Sequence, residues 1–338
     1  MNLFRLLIIS TALASTSAYA ELDVLQRSVI DDGPSKGMSV LKNRAPSIKK
    51  AAQASSAAYN DHKLVKRQSQ SPIRDQEGFE AREKLIDSGS TVASFHAQIA
   101  PRKTAPAGIV SYREEAGKAQ LTVAFHGSEA VEDFTQANFL FRKVKNPELG
   151  IEGGIHKGFN NRYMQSREAM HDLIRATLDD HNKSAADVEF VVTGHSLGGA
   201  LATLAAADLK KNFSGADNLK LVTFSSPRVV SHDGAQSIED SIGKDRIIRV
   251  WRDGDIVPSI LLGIFGFKHV GHSVKLESKT GGHLSLRNHG LSSIVEEATS
   301  AATIKPLPHE GYKTWLKRKI TSIPRAIKTT FTKLFKRV

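Results

Sequence analysis

An α/β architecture, with a mostly parallel central sheet covered by helices on both faces, is what this sequence predicts, and three observations point to it. Strand-like and helix-like stretches alternate from about Phe79 onward, the order produced when helices carry the chain back across a parallel sheet. A glycine-flanked turn, Gly194-His195-Ser196-Leu197-Gly198, lies between a buried-strand candidate and an Ala-rich helix candidate. The patterned region has the size of one domain, and the chain's 40% apolar content suits one substantial core. In chain order, strands are predicted at Gly108–Tyr112, Gln120–Phe125, Val188–Thr193, Leu219–Phe224 and Arg246–Trp251. Helices are predicted at Phe159–His181, Gly198–Asn212, Gln236–Ile242 and His289–Ala302.

The flanks read differently. Residues 1–20 carry Arg5 near the start, then the apolar stretch Leu6–Ala14, and close on Ala18-Tyr19-Ala20. This is the pattern of a cleavable signal peptide, so export to a periplasm or the cell exterior is expected. The apolar run is short for a bilayer, and no later run of about 18 apolar residues follows, so no transmembrane helix is expected. Residues 21–72 are rich in Ser, Ala and Lys with few large apolar side chains, a composition that predicts a mobile lead-in. The folded domain is expected over 73–305 and a basic tail over 306–338.

The net charge of +12 sits mainly at the ends, with nine Lys and Arg and no acidic residue over 311–338. A nucleic-acid-binding domain needs that charge along a folded face. Basic ends on a near-neutral middle therefore argue against nucleic acid. In the tail, Tyr312, Trp315, Leu316, Lys319 and Ile320 recur at helical spacing, as do Ile327, Phe331, Leu334 and Phe335 beyond Pro324. Two short basic amphipathic helices suit contact with an anionic lipid surface; the alternative is a solvated tail whose apolar residues pack on the core. The chain has no cysteine, so stability rests on packing without disulfides.

The chemistry concentrates at Ser196. A serine hydroxyl is a poor nucleophile until a base removes its proton, and it must project from the backbone to reach a carbonyl. A tight strand-to-helix turn supplies that projection, with Gly194 and Gly198 leaving room for the backbone and Ala202 and Ala205 letting the helix approach the sheet. The Gly-x-Ser-x-Gly pattern alone is weak. Its setting strengthens it, because Asp and His candidates follow in the order Ser, Asp, His.

With these residues in view, Gly194-His195-Ser196-Leu197-Gly198-Gly199-Ala200 resembles the signature of the class 3 (fungal-type) lipases, in the α/β-hydrolase superfamily. Four further blocks resemble that family in order: Val123–Ser128, His156–Phe159, Thr223–Arg228 and Arg249–Pro258. The resemblance covers about 105–300 and implies an α/β-hydrolase fold. It implies Asp255 as the acid, with the nearby Asp253 as the rival. Of the histidines beyond Asp255, Asn288-His289-Gly290 resembles the family's base at the entry to a late helix, with His283 the alternative and His269 in a structural block. The backbone N–H of Leu197 supplies one oxyanion donor by the geometry of the turn, and Ser128 the second by resemblance. His126 stands where the family commonly carries Arg, and Ser225 where it carries Gly. Residues Glu129–Phe141 occupy the lid position, although their periodicity equally describes an ordinary core helix.

Together these residues predict a secreted serine ester hydrolase acting on a lipid substrate at an interface. Its catalytic residues would be Ser196, Asp255 and His289, and its oxyanion hole Ser128 and Leu197. No cofactor or metal is called for, since the histidines lack partnered ligand spacing. Triacylglycerol lipase is the first reading and phospholipase A on anionic membranes the second. A catalytically silent membrane-binding protein and a serine peptidase are the other readings.

Overall fold

The computed structural model describes residues 47–59, 72–127, 142–258, 265–280 and 285–294. The proposed signal peptide, the lid segment, Ser128, His283 and the basic tail lie outside the described residues. Elements in chain order are α1 (47–57), α2 (Pro72–Asp87), β1 (Thr91–Ala100), β2 (Lys103–Glu115), β3 (Lys118–Phe125), β4 (Lys143–Val144), β5 (Ile155–His156) and α3 (Lys157–Asp180). They continue with β6 (Val188–His195), α4 (Leu197–Asn212), β7 (Leu219–Phe224), β8 (Val230–Ser231), α5 (His232–Ile242), β9 (Ile247–Arg252), β10 (Phe267–Lys268) and β11 (His272–Leu276). A last helical turn is described at 291–294.

Seven strands form the main sheet in the order β1-β2-β3-β6-β7-β9-β11. The pairs β1/β2 and β2/β3 are antiparallel, and every pair from β3 through β11 is parallel. A small antiparallel sheet, β10-β8-β5-β4, stands beside it. The expected mostly parallel sheet is therefore present, and each predicted strand falls within or one residue from an observed one. Strands β1 and β11 had no counterpart in the prediction. β1 is an edge strand with only Phe95 and Ala97 buried, so its sequence carries little apolar signal.

Parallel strands are buried on both faces, and alternate residues of one strand go to opposite layers. In β6, Phe190 and Val192 join the core under α3, α4 and α5, while Val191 joins the core under α1 and the 291–294 turn. Phe190 and Val192 are fully buried, each contributing about 1.5–3 kcal/mol relative to an exposed side chain.

The lead-in expectation is corrected at 47–59. Ile48, Ala51, Ala52, Ser55 and Ala58 are all buried, and Tyr59 is nearly so. They recur at the spacing of one helical face, but the face is built of small residues, so its hydropathy is low. Small side chains let α1 lie close to β6, where Ser55 Oγ meets Thr193 Oγ1 at 2.9 Å and Ala51 O lies 3.3 Å from the same hydroxyl.

Helix α4 is buried on every side from Leu197 to Leu209, which places the charged Asp208 in the interior. Tyr163 OH donates to its carboxylate, as do Arg167 through Nε and Nη2, His171 through Nε2 at 2.9 Å and Asn212 through Nδ2 at 2.6 Å. This network ties α3 to α4. Burial alone would raise the Asp208 carboxyl, but hydrogen bonds from His171, Arg167 and Tyr163 outweigh it and hold it below its ordinary value. Burial, and then the Asp208 charge, pushes the Tyr163 phenol well above its ordinary value.

Asp208→Ala strands the Arg167 guanidinium and the other donors around it and is expected to cost about 3–5 kcal/mol in urea unfolding at neutral pH. Because the native carboxyl titrates below its unfolded value, its contribution is full above about pH 4 and is lost as pH falls through the native value. The difference in unfolding free energy between wild type and mutant should therefore narrow below pH 4.

Candidate active site

Ser196 stands between the end of β6 and the start of α4 with φ 60° and ψ −125°. A non-glycine residue held there costs about 1–3 kcal/mol. Hydrogen bonds hold it in place: Ser196 N donates to Phe224 O at 2.9 Å and Gly199 N donates to Ser196 O at 3.0 Å. The flanking glycines answer a steric demand. A Cβ on Gly194 would sit 2.3 Å from the Gly198 main chain, and one on Gly198 would sit 2.4 Å from Phe125 O. A serine at a helix N-terminus ordinarily accepts a capping bond from the first turn. Ser196 makes no such bond, so the turn directs its oxygen away from the helix.

Asp255 follows β9 and is fully buried. Its amide donates to Arg252 O at 3.0 Å, and its Oδ1 accepts from Val257 N at 3.0 Å. A parallel bridge to Ser285 brings the 285–289 segment alongside. His289 Nδ1 then lies 2.9 Å from Asp255 Oδ2 and 3.0 Å from Oδ1. A carboxylate oxygen accepts in such a contact and the imidazole Nδ1 donates.

Two buried side chains fix this arm. Arg252 donates from Nη1 to Glu277 O at 2.7 Å and from Nη2 to Ser293 O at 2.9 Å. Asn288 accepts from Lys279 N and donates to Thr280 Oγ1.

Among the described residues, Asp253 and the other late histidines make different contacts. Asp253 faces Lys275, with Oδ1 3.6 Å from Nζ. His272 meets Asp245 at 2.7 Å. His269 lies 3.3 Å from Pro258 O. Burial, together with the charges of Arg249 and Arg228, pushes the His269 imidazole well below its ordinary value, and burial lowers the Arg228 guanidinium to about 10. His195, the residue before Ser196, joins the two arms. Its Nε2 lies 2.8 Å from the main-chain oxygen of His289 and its Nδ1 2.9 Å from Tyr59 OH.

Leu197 N–H opens helix α4 at this turn, at the positive end of the helix dipole. The other oxyanion candidate, Ser128, lies outside the described residues. The strand leading toward it, β3, pairs with β6 so that Phe125 stands opposite Gly194.

The mostly parallel sheet, covered by helices on both faces with the strained serine turn at the end of β6, is the α/β-hydrolase fold. Residues 122–264 match the family described as lipase (class 3). It is 34% identical over 150 residues to secreted mono- and diacylglycerol lipase 1 of Fusarium solani, covering 44% of this chain and 42% of that protein. It is 29% identical over 108 residues to a chloroplastic phospholipase A(1) of Arabidopsis thaliana, covering 31% of this chain and 24% of that protein. The chain thus spans well under half the length of these relatives. Lipase II from Rhizopus niveus superposes with a TM-score of 0.54 at 22% identity over 71% of this chain and 83% of that one, a likeness of fold.

Sequence reasoning passed over Tyr59 and Arg252. Tyr59 closes the helical stripe described above, a signal legible only when alanine and serine count as core residues. Ser225, where the family carries Gly, takes φ 49° in the left-handed region and is fully buried. Its hydroxyl finds no hydrogen-bond partner among the described residues. Ser225→Gly is therefore expected to raise stability by about 0.5–1 kcal/mol, read as a shift of the urea midpoint.

Proposed function

We propose that this chain is a serine ester hydrolase that cleaves lipid carboxylic esters through an acyl-enzyme on Ser196, with triacylglycerol the first substrate class. The observation that carries the reading is the His289 imidazole, bound through Nδ1 to the buried Asp255 carboxylate and packed against the histidine that adjoins Ser196. In the proposed sequence, His289 Nε2 takes the proton from Ser196 Oγ as the oxygen attacks the ester carbonyl. Asp255 stabilises the imidazolium so formed. The oxyanion accepts hydrogen bonds from Leu197 N–H and, on the family resemblance, from Ser128. His289 passes its proton to the departing alcohol, then activates water to release the fatty acid from the serine.

Export through the 1–20 segment fits the name of the Fusarium relative as a secreted lipase, and an interfacial lipid is the substrate partner in this reading. Phospholipase A on anionic membranes is the second reading. It is favoured by the nine cationic and no acidic residues of 311–338 and by the similarity to a phospholipase A(1).

The test is hydrolysis by residues 21–338 of a short nitrophenyl ester, a triacylglycerol emulsion and phosphatidylglycerol vesicles. Ser196→Ala should lower kcat by about 10⁴-fold or more on every substrate that turns over, and Asp255→Asn by about 10⁴-fold through the wrong imidazole tautomer. Undiminished turnover in Ser196→Ala overturns the nucleophile. A folded protein inert toward all three substrates supports the silent membrane-binding reading instead. Removing 311–338 should weaken binding to anionic vesicles while leaving the short-ester rate unchanged, and unaltered vesicle binding would dismiss the membrane role of the tail.

A further inference from the structure

Two buried side chains outside the proposed catalytic set meet it from the interior. His195 is 3% exposed and Tyr59 8% exposed. The His195 ring stands against the His289 ring, with centroids 4.6 Å apart and planes at 37°. Tyr59, just beyond the end of α1, also lies against His126, with ring centroids 4.8 Å apart, and packs so close to Gly127 that a Cβ there would fall 2.1 Å from the phenol oxygen. One phenol therefore touches both the strand end that leads to the oxyanion segment and the residue that precedes the nucleophile.

Hydrogen-bond chemistry fixes the direction of this chain of contacts. The main-chain oxygen of His289 can only accept, so His195 Nε2 carries the hydrogen at their 2.8 Å contact. A neutral imidazole protonated at Nε2 has its lone pair at Nδ1, so the contact of 2.9 Å with Tyr59 is a donation from the phenol. The opposite tautomer would set the Nε2 lone pair against the carbonyl oxygen of His289. The neutral form also keeps a second positive charge away from the imidazolium that His289 becomes during attack.

We propose that Tyr59 and His195 are positioning residues, forming a phenol–imidazole relay that holds the main chain of His289, and through it the catalytic imidazole, within reach of Ser196. The relay rests on the reading of Ser196 as nucleophile and His289 as base. It acts on the orientation of the base and touches no substrate. Loss of the relay therefore lowers kcat and leaves KM alone.

Full-length protein carrying Tyr59→Phe, His195→Gln or His195→Asn, measured beside wild type and Ser196→Ala, decides the matter. Gln places its amide nitrogen where Nε2 stands and preserves the donor to His289, whereas Asn reaches only the Nδ1 position. His195→Asn should lower kcat on the short ester by about 10²-fold, whereas Tyr59→Phe and His195→Gln, which each lose only the phenol's hydrogen bond, should lower it by about 10-fold, with KM unchanged throughout. Equal rates in His195→Gln and His195→Asn would mean that His195 only fills space, and the relay falls.

A second readout does not depend on turnover. Nitrogen NMR of wild type should show His195 protonated at Nε2 and bare at Nδ1, with the preference weakened in Tyr59→Phe; a proton on Nδ1 overturns the relay. If the wild type hydrolyses no ester, the hydrolase reading fails by itself, and the tautomer still decides whether the relay exists.

Discussion

The turn at Ser196 is the constraint around which this molecule is organised. A residue held at positive φ persists only when its surroundings fix it from several sides. Here β3 and β7 flank β6, Phe224 O receives the serine amide, and the Gly198 main chain occupies the space that a side chain at Gly194 would fill. The close approach of α4 to the sheet follows from the same geometry. Its alanines are fully buried because the helix must start against the strand ends rather than above them. The interior position of Asp208 is a further result: a helix with no solvent face from Leu197 to Leu209 carries its one acidic side chain inward, and α3 supplies most of the partners.

The second arm obeys different physics. No strain is needed at Asp255; what matters is that a fully buried carboxylate has its acceptor sites occupied by a backbone amide and by the imidazole. The arm is assembled from three separated segments, and Arg252 binds two of them through main-chain carbonyls. A guanidinium suits that task because its donors are fixed in one plane and point in divergent directions.

Much of this was legible in the sequence because it depends on local chemistry. Residues Leu219–Phe224 read as a strand and are one, since a run of large apolar side chains between turn residues leaves few alternatives. The serine turn was legible from its glycines, whose absence of a side chain has a steric cause that survives in any context. Asp255 and His289 could be ranked above Asp253 and His283 only by family resemblance, because their meeting depends on the bridge between Asp255 and Ser285. No periodicity encodes such a bridge. Helix α1 was misread because a face of alanine and serine looks like a solvated linker until the surface it packs against is known. Strand β1 was overlooked for the related reason that an edge strand buries little.

One further consequence concerns the order in which the molecule becomes whole. The 291–294 turn after His289 shares a small core with α1 on one face of the sheet, where Ile48, Ala51 and Ala52 pack with Leu291 and Ile294. The contact between His195 and His289 closes a span of 94 residues, and that between Ser55 and Thr193 one of 138. Such long-range pairings form late, since the entropy of closing the loop is lost before the contact returns anything. A chain emerging from a ribosome or a translocation pore can build the serine turn from residues already present. It lacks His289 until nearly all of the described domain has appeared. The Asp255–His289 pair and its contact with His195 are therefore completed only toward the end of folding.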